Sequence, residues 1–400
     1  MRCLLLWICL PFLSLSSYSQ SVQLDSLKVI QVRASDTDSE IPFELAKHFA
    51  FYNPTAVARN TLVVHLVGSF DNPLNTIKYP SLAANNGFHV VSLKYKNGIS
   101  SQGACKNSTD SNCYSNFRKE IIEGVDVSDE VDVDSTNSIQ NRLHKLLLFL
   151  QNEHPNQNWE QFIKSDIVYW SKVIVSGHSQ GGGHAAYLGQ SKLLKRIIMF
   201  SSPNDWSNHF GSPAHWLDDP KTTPIQRYYG FNNLNDDVVD FSHQYQIWQN
   251  IGLTSLQDTI FIGDSTFKSS GSSILYTDYD MPGTSVNHNA TVRDSDTPLN
   301  NDNTPIYSDV WLYLLGINKS SYYQERQLHK LLTYPNPATK SIHLDINDYV
   351  DIHLYNSVGV EVQLDMLNGS RLDITNLKNG RYYGVVKKSE NIYTFTFIKL

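Results

Sequence analysis

Short, nearly unbroken apolar runs recur through the first three quarters of the chain, at 62–67, 87–95, 173–177 and 196–202. Each is too short for a stable helix and too apolar to leave one face in water. Each therefore predicts a strand buried inside a parallel sheet. The runs at 28–33, 224–231 and 258–263 predict further strands. Between them the spacing lengthens. Ile139, Leu143, Leu146, Leu147 and Leu150 recur at helical steps and share one face. Helices are also expected at 79–86, 241–248 and 307–316, with a helical stretch at 43–47 inside the leading segment 41–52. Strands alternating with helices predict an α/β architecture, a mainly parallel sheet covered by helices on both faces. Beyond residue 332 the pattern changes to alternating residues broken by Ser357-Val358-Gly359 and Asn379-Gly380 turns, which predicts a small all-β sandwich.

One apolar run ends abruptly. Val173-Ile174-Val175-Ser176 leads into Gly177-His178-Ser179-Gln180-Gly181, and small residues then open a helix. Strand, sharp turn and helix, with a serine at the apex, is the local pattern of a nucleophile elbow. The turn strains the serine backbone, and glycines on either side let strand and helix approach. The hydroxyl is lifted clear of the sheet beside a helix N-terminus, whose free N–H groups favour developing negative charge.

The 400 residues are 40% hydrophobic and 18% charged, with a formal net charge of −7. This is globular material, long enough for two domains, with no basic cluster to bind nucleic acid. Arg2 followed by a short apolar core at 4–13 and small residues Ser17 and Ser19 reads as an export signal spanning 1–19. Cys3 and Cys9 would leave with it. Cys105 and Cys113 would remain and, in an exported chain, predict one local disulfide. The acidic run 123–134 does not follow calcium-loop spacing and is expected to be solvated surface, with a cation site as the alternative. No motif calls for a metal or an organic cofactor. The excursion 96–137 is where a wall or lid over a site could grow, and Trp206, Trp216 and Tyr228 are candidates to line a pocket.

A serine hydroxyl needs a base to become a nucleophile, and an imidazole needs a carboxylate to fix its tautomer. His288, in a late loop ahead of the closing helix, is the expected base. His209 and His215 follow the elbow too soon, and His243 falls within a helix. The acid is expected at Asp236, with Asp237 and Asp205 as alternatives. His178 and His184 are expected to serve packing or a pocket wall.

Gly177-His178-Ser179-Gln180-Gly181-Gly182 resembles the elbow of secreted bacterial lipases and esterases of the α/β-hydrolase superfamily. A closer resemblance, over roughly 55–316, is to a family of secreted bacterial α/β hydrolases of unassigned substrate. It rests on Ser138-Ile139-Gln140-Asn141-Arg142-Leu143, the elbow with His184-Ala185-Ala186, Ser201-Ser202-Pro203-Asn204-Asp205-Trp206, and His288 ahead of Tyr307-Ser308-Asp309-Val310-Trp311. The resemblance implies an oxyanion hole from the backbone N–H groups of Gln180 and, in the loop after 62–67, Ser69. It implies the fold and hydrolysis but no particular substrate; the expected substrate is an ester, whether small molecule, lipid or polymer.

Tyr334-Pro335-Asn336-Pro337-Ala338, Asp351-Ile352-His353-Leu354-Tyr355 and Leu372-Asp373-Ile374 carry a second resemblance, to the type A C-terminal sorting domain of the bacterial type IX secretion system. It implies a partnership with that machinery through 333–400 and a secreted or cell-surface protein. The expected organisation is a signal peptide at 1–19, a hydrolase domain at 20–316, a linker at 317–332 and the sorting domain at 333–400. Two other functions share this fold: a binding or adhesion protein with a vestigial elbow, and a peptidase or amidase.

Overall fold

The computed structural model describes residues 26–255, 260–262, 271–317, 329–346, 351–356, 360–363, 365–368, 370–388 and 391–400. The expected leader, most of the expected linker and the Ser357-Val358-Gly359 turn lie outside the described residues.

Nine strands build the central sheet: β1 (Lys28–Arg33), β2 (Lys47–Tyr52), β3 (Leu62–Leu66), β4 (His89–Leu93), β5 (Val173–His178), β6 (Arg196–Phe200), β7 (Tyr228–Asn233), β8 (Ile260–Phe261) and β9 (Ile274–Thr277). Their order across the sheet is β1-β2-β4-β3-β5-β6-β7-β9-β8. The β1–β2 and β2–β4 pairings are antiparallel, and every pairing from β4 onward is parallel. The chain is thus a mixed α/β protein with a mainly parallel sheet.

The apolar runs feed both faces in alternation, as a pleated strand requires. Val64, Leu66, Val175, Ile197 and Met199 enter one apolar layer, while Val63, Ile174, Ile198 and Phe200 enter the other. The first layer is closed by α3 (Cys113–Glu123), α4 (Ile139–Glu153), α5 (Gln180–Ser191) and α6 (Phe241–Ile251). The second is closed by α1 (Lys78–Asn85) and α8 (Ser308–Leu314). Each fully buried strand residue contributes roughly 1.5–3 kcal/mol by leaving water. The interior strands therefore hold their loops in fixed positions.

Three local expectations change. Residues 43–46 are not helical, and strand β2 begins at Lys47 because Phe49 and Phe51 pair across β4, opposite Ser92 and Val90. Strand β9 was not expected from its short Ile-Leu-Tyr-Thr run, yet it pairs in parallel with β7. The 96–137 excursion contains two helices, α2 (Ser101–Cys105) and α3, joined by a Cys105–Cys113 disulfide with Cα atoms 5.5 Å apart. The acidic run that follows is organised by Glu120. Its buried carboxylate accepts the N–H groups of Val127, Ser128 and Val133.

The C-terminal region is β-rich. Residues His329–Lys330, Asn391–Lys399, Gly380–Lys388 and Asp351–Asn356 form one four-stranded sheet. Thr333–Tyr334, Ser341–Leu344, Arg371–Asp373 and Asp365–Asn368 form a second. Both sheets contribute to one apolar cluster, including Ile342, Leu344, Leu354, Leu372, Val386, Phe395 and Phe397. Among the described residues, no helix is long and apolar enough to cross a membrane.

Candidate active site

Strand β5 is buried along its whole length, and the first solvent-reached residue after it is Ser179. Ser179 has φ 52° and ψ −119°, a conformation that a serine adopts only under strain. Its N–H donates to Phe200 O, which extends the β5–β6 pairing through the turn. The glycines allow the crossing. A Cβ on Gly177 would lie 2.2 Å from the Gly181 carbonyl carbon, one on Gly181 2.1 Å from Leu66 O, and one on Gly183 2.1 Å from the Arg118 guanidinium.

The other functional candidates come from loops at the same, C-terminal edge of the sheet. His288 lies in the short helix α7 (Val286–Asn289), after β9. Its Nδ1 is 2.7 Å from Asp236 Oδ2, and both side chains are buried. Burial by itself would raise the Asp236 carboxyl. His288 and the N–H groups of Val238 and Val239 outweigh it and hold the group below the usual carboxylate range. An ionised Asp236 can only accept, so Nδ1 carries a proton and Nε2 is the nitrogen turned away from the carboxylate. That Nε2 is buried and has no hydrogen-bond partner among the described residues.

Two loops hold this pair together. Asp237 accepts the His288 backbone N–H at 3.1 Å. Asn233 donates to the carbonyls of Tyr279 and Asn287, and Asn235 to that of Asp278. The His288 carbonyl accepts from Ser201 Oγ at 2.6 Å and from His178 Nε2 at 3.2 Å. A carbonyl only accepts, so His178 is the Nε2–H tautomer. Burial and the neighbouring His288 hold it neutral, well below its ordinary pKa.

Gln180 and Ser69 also meet. Gln180 Oε1 accepts from Ser69 Oγ and from Ser101 N, both at 2.8 Å, which ties the loop after β3 and the start of α2 to the elbow. Neither backbone N–H of the two residues is taken by another hydrogen bond among the described residues. The loop after β3 is further fixed by Asn97, which donates to Gly68 O and Asp71 O and accepts Phe70 N–H.

Asp205 is elsewhere. Its carboxylate is paired with both the Nε and Nη2 of Arg118, with neither side chain exposed, and accepts from Trp216 Nε1 at 2.7 Å. Arg118 also donates to Gln180 O. Asp205 therefore anchors helix α3 beneath the elbow and does not reach His288. Trp216 and Tyr228, expected in a pocket wall, are buried supports instead; Tyr228 lies under α5 with its hydroxyl toward Ala186 O. Trp206 stacks face to face on His243 at 3.9 Å. His184 is buried against Tyr95 and Phe117.

Two residues at the site were not anticipated. Asn204 Nδ2 donates to Ser179 Oγ at 3.3 Å, and Gln244 Nε2 donates to both Asn204 Oδ1 and Asp236 Oδ2. A signal for Gln244 was present: it shares the apolar face of α6 with Ile247, Trp248 and Ile251, where a polar side chain needs a buried partner. A cavity of about 630 Å³ lined by Arg59, Lys195 and Arg196 opens at the opposite, N-terminal edge of the strands and is not part of this site.

No curated protein matches the chain. Its structure is similar to that of a Klebsiella pneumoniae protein provisionally described as a dienelactone hydrolase, with a TM-score of 0.37 and 9% identity over 72% of this chain and 97% of that one. An overlap that loose transfers no function. Residues 332–399 match the model of the secretion system C-terminal sorting domain, which points to export and to a cell-surface or extracellular location.

Proposed function

We propose that this chain is an exported serine hydrolase of the α/β-hydrolase fold that cleaves carboxylic esters. The observation that carries the reading is a strained, solvent-reached Ser179 and a His288–Asp236 pair at 2.7 Å, both at the C-terminal edge of one parallel sheet and linked through Asn204 and Gln244. The strand order and the serine–acid–histidine order along the chain support the same assignment.

Ser179 Oγ attacks the acyl carbonyl while its proton passes to His288 Nε2. The carbonyl oxygen becomes an oxyanion held by the backbone N–H groups of Gln180 and Ser69. As the tetrahedral intermediate collapses, His288 returns the proton to the departing alcohol and Ser179 is left acylated. Water, deprotonated by His288, attacks the acyl carbon. Collapse releases the acid and the serine oxygen takes the proton back. Asp236 keeps the imidazole in the Nδ1–H form and offsets the charge it gains. The tail at 333–400 serves as the address read by the type IX secretion machinery.

The test is turnover of an activated aryl ester and of the matching anilide by the purified chain and by Ser179→Ala. The reading expects ester turnover that falls at least about a thousandfold in the variant. Unchanged turnover would remove Ser179 from the chemistry. Faster cleavage of the anilide than of the ester would move the assignment to an amidase.

A further inference from the structure

The carboxamides that link Ser179 to Asp236 have a readable direction. Ser202 N–H donates to Asn232 Oδ1 at 3.0 Å, and a backbone N–H can only donate. Asn232 must therefore turn its Nδ2 outward, to Gln244 Oε1 at 2.9 Å. Gln244 is left with Nε2 facing the site. Its two protons go to Asp236 Oδ2 at 3.0 Å and Asn204 Oδ1 at 3.1 Å. Asn204 in turn has only Nδ2 to offer Ser179 Oγ. The far end agrees independently, because an ionised Asp236 can only accept. Asn204, Asn232 and Gln244 are all buried, and Trp248 Nε1 holds Ser202 O from the next turn of α6. Water is not needed to complete the chain.

We infer that Asn232, Gln244 and Asn204 form a one-way amide relay that sets the polarity of the nucleophile. Ser179 Oγ is obliged to accept from Asn204, so its own proton is released toward the buried, unpartnered His288 Nε2. Asn204 touches the reacting oxygen and is catalytic; Gln244 and Asn232 act through it and are positioning residues. The same Asn204 N–H faces the ester oxygen of the acyl-enzyme, the atom that departs with the electron pair in the second step. The inference rests on the serine-hydrolase reading.

The discriminating variant is Asn232→Asp, which keeps the shape and the Ser202 contact but places an acceptor against Gln244 Oε1. Gln244 then faces an acceptor at both ends: holding its orientation leaves Oε1 against the new carboxylate, and flipping sets Oε1 against Asp236 Oδ2 and turns Asn204 Oδ1 toward Ser179, so the directed chain is broken either way. Steady-state turnover of an activated aryl ester by the full chain is compared for wild type, Asn232→Asp, Asn204→Ala and Ser179→Ala, with a melting curve for each. The relay predicts a kcat lower by about tenfold to a hundredfold in both asparagine variants, with KM within about twofold. A residue that only fills space would leave the isosteric Asn232→Asp at wild-type kcat. If Asn232→Asp does not fold, Asn204→Ala decides alone. Wild-type kcat in the folded asparagine variants, with Ser179→Ala inactive, overturns the relay and leaves the serine assignment standing. Full activity in Ser179→Ala removes both.

Discussion

Two buried aspartates follow adjacent parallel strands, Asp205 after β6 and Asp236 after β7, and they do opposite things. Asp205 faces Arg118, a permanent cation with a planar fork, and takes a further N–H from Trp216. That pair is closed: every strong contact is internal. Asp236 faces His288, whose charge can change, and the nitrogen on the far side of that ring is unpartnered. One carboxylate ties an excursion to the scaffold; the other holds a group that can take and return a proton. Both carboxyl side chains are fully buried, so burial of the carboxyl does not distinguish structure from chemistry. The titratability of the partner does.

The comparison breaks most visibly at Asp236. Asp236→Asn keeps the shape but presents an N–H to His288, favouring the wrong tautomer; kcat for an aryl ester should fall about 10³–10⁴-fold while the melting temperature stays close to wild type. Asp205→Asn should do the reverse. It leaves the wholly buried Arg118 guanidinium without its counter-charge, and breaking such a pair costs about 3–5 kcal/mol, read as a lower urea midpoint, with kcat of the folded fraction little changed. A smaller effect concerns two fully buried histidines away from the site. Burial, with some repulsion from Arg142, takes His48 down to about 3, and burial, with His178, takes His65 to about 3. The unfolded chain binds their protons from pH 6.5 downward, so the stability they contribute is whole above pH 6.5 and is lost as pH falls toward 3. At pH 4.5 each should destabilise the fold by about 2–3 kcal/mol, measurable as a shift in the urea midpoint between pH 7 and pH 4.5.

How much of this was legible depended on how local the cause was. The elbow is a local demand, since only glycine fits at 177 and 181 when strand and helix cross that closely, and the sequence states it openly. The strands buried on both faces were legible for the same reason. Chain order and loop position singled out His288 and narrowed the acid to three aspartates. Choosing among Asp205, Asp236 and Asp237 could not be done from order alone, because it turns on Arg118, which lies 87 residues away from Asp205 in the chain. Asn204 and Gln244 were missed because an amide gains its meaning from its neighbours, 40 residues apart here. The helical reading of 43–47 failed where pairing of Phe49 and Phe51 across β4 overrode a weak local preference.

The measurement that tests the central claim most directly is treatment of the purified protein with a fluorophosphonate, followed by intact mass and a peptide map. The account predicts one adduct, confined to the peptide containing Ser179 and lost in His288→Ala. A folded protein that takes no adduct, or takes it elsewhere with Ser179 unmodified, would contradict it.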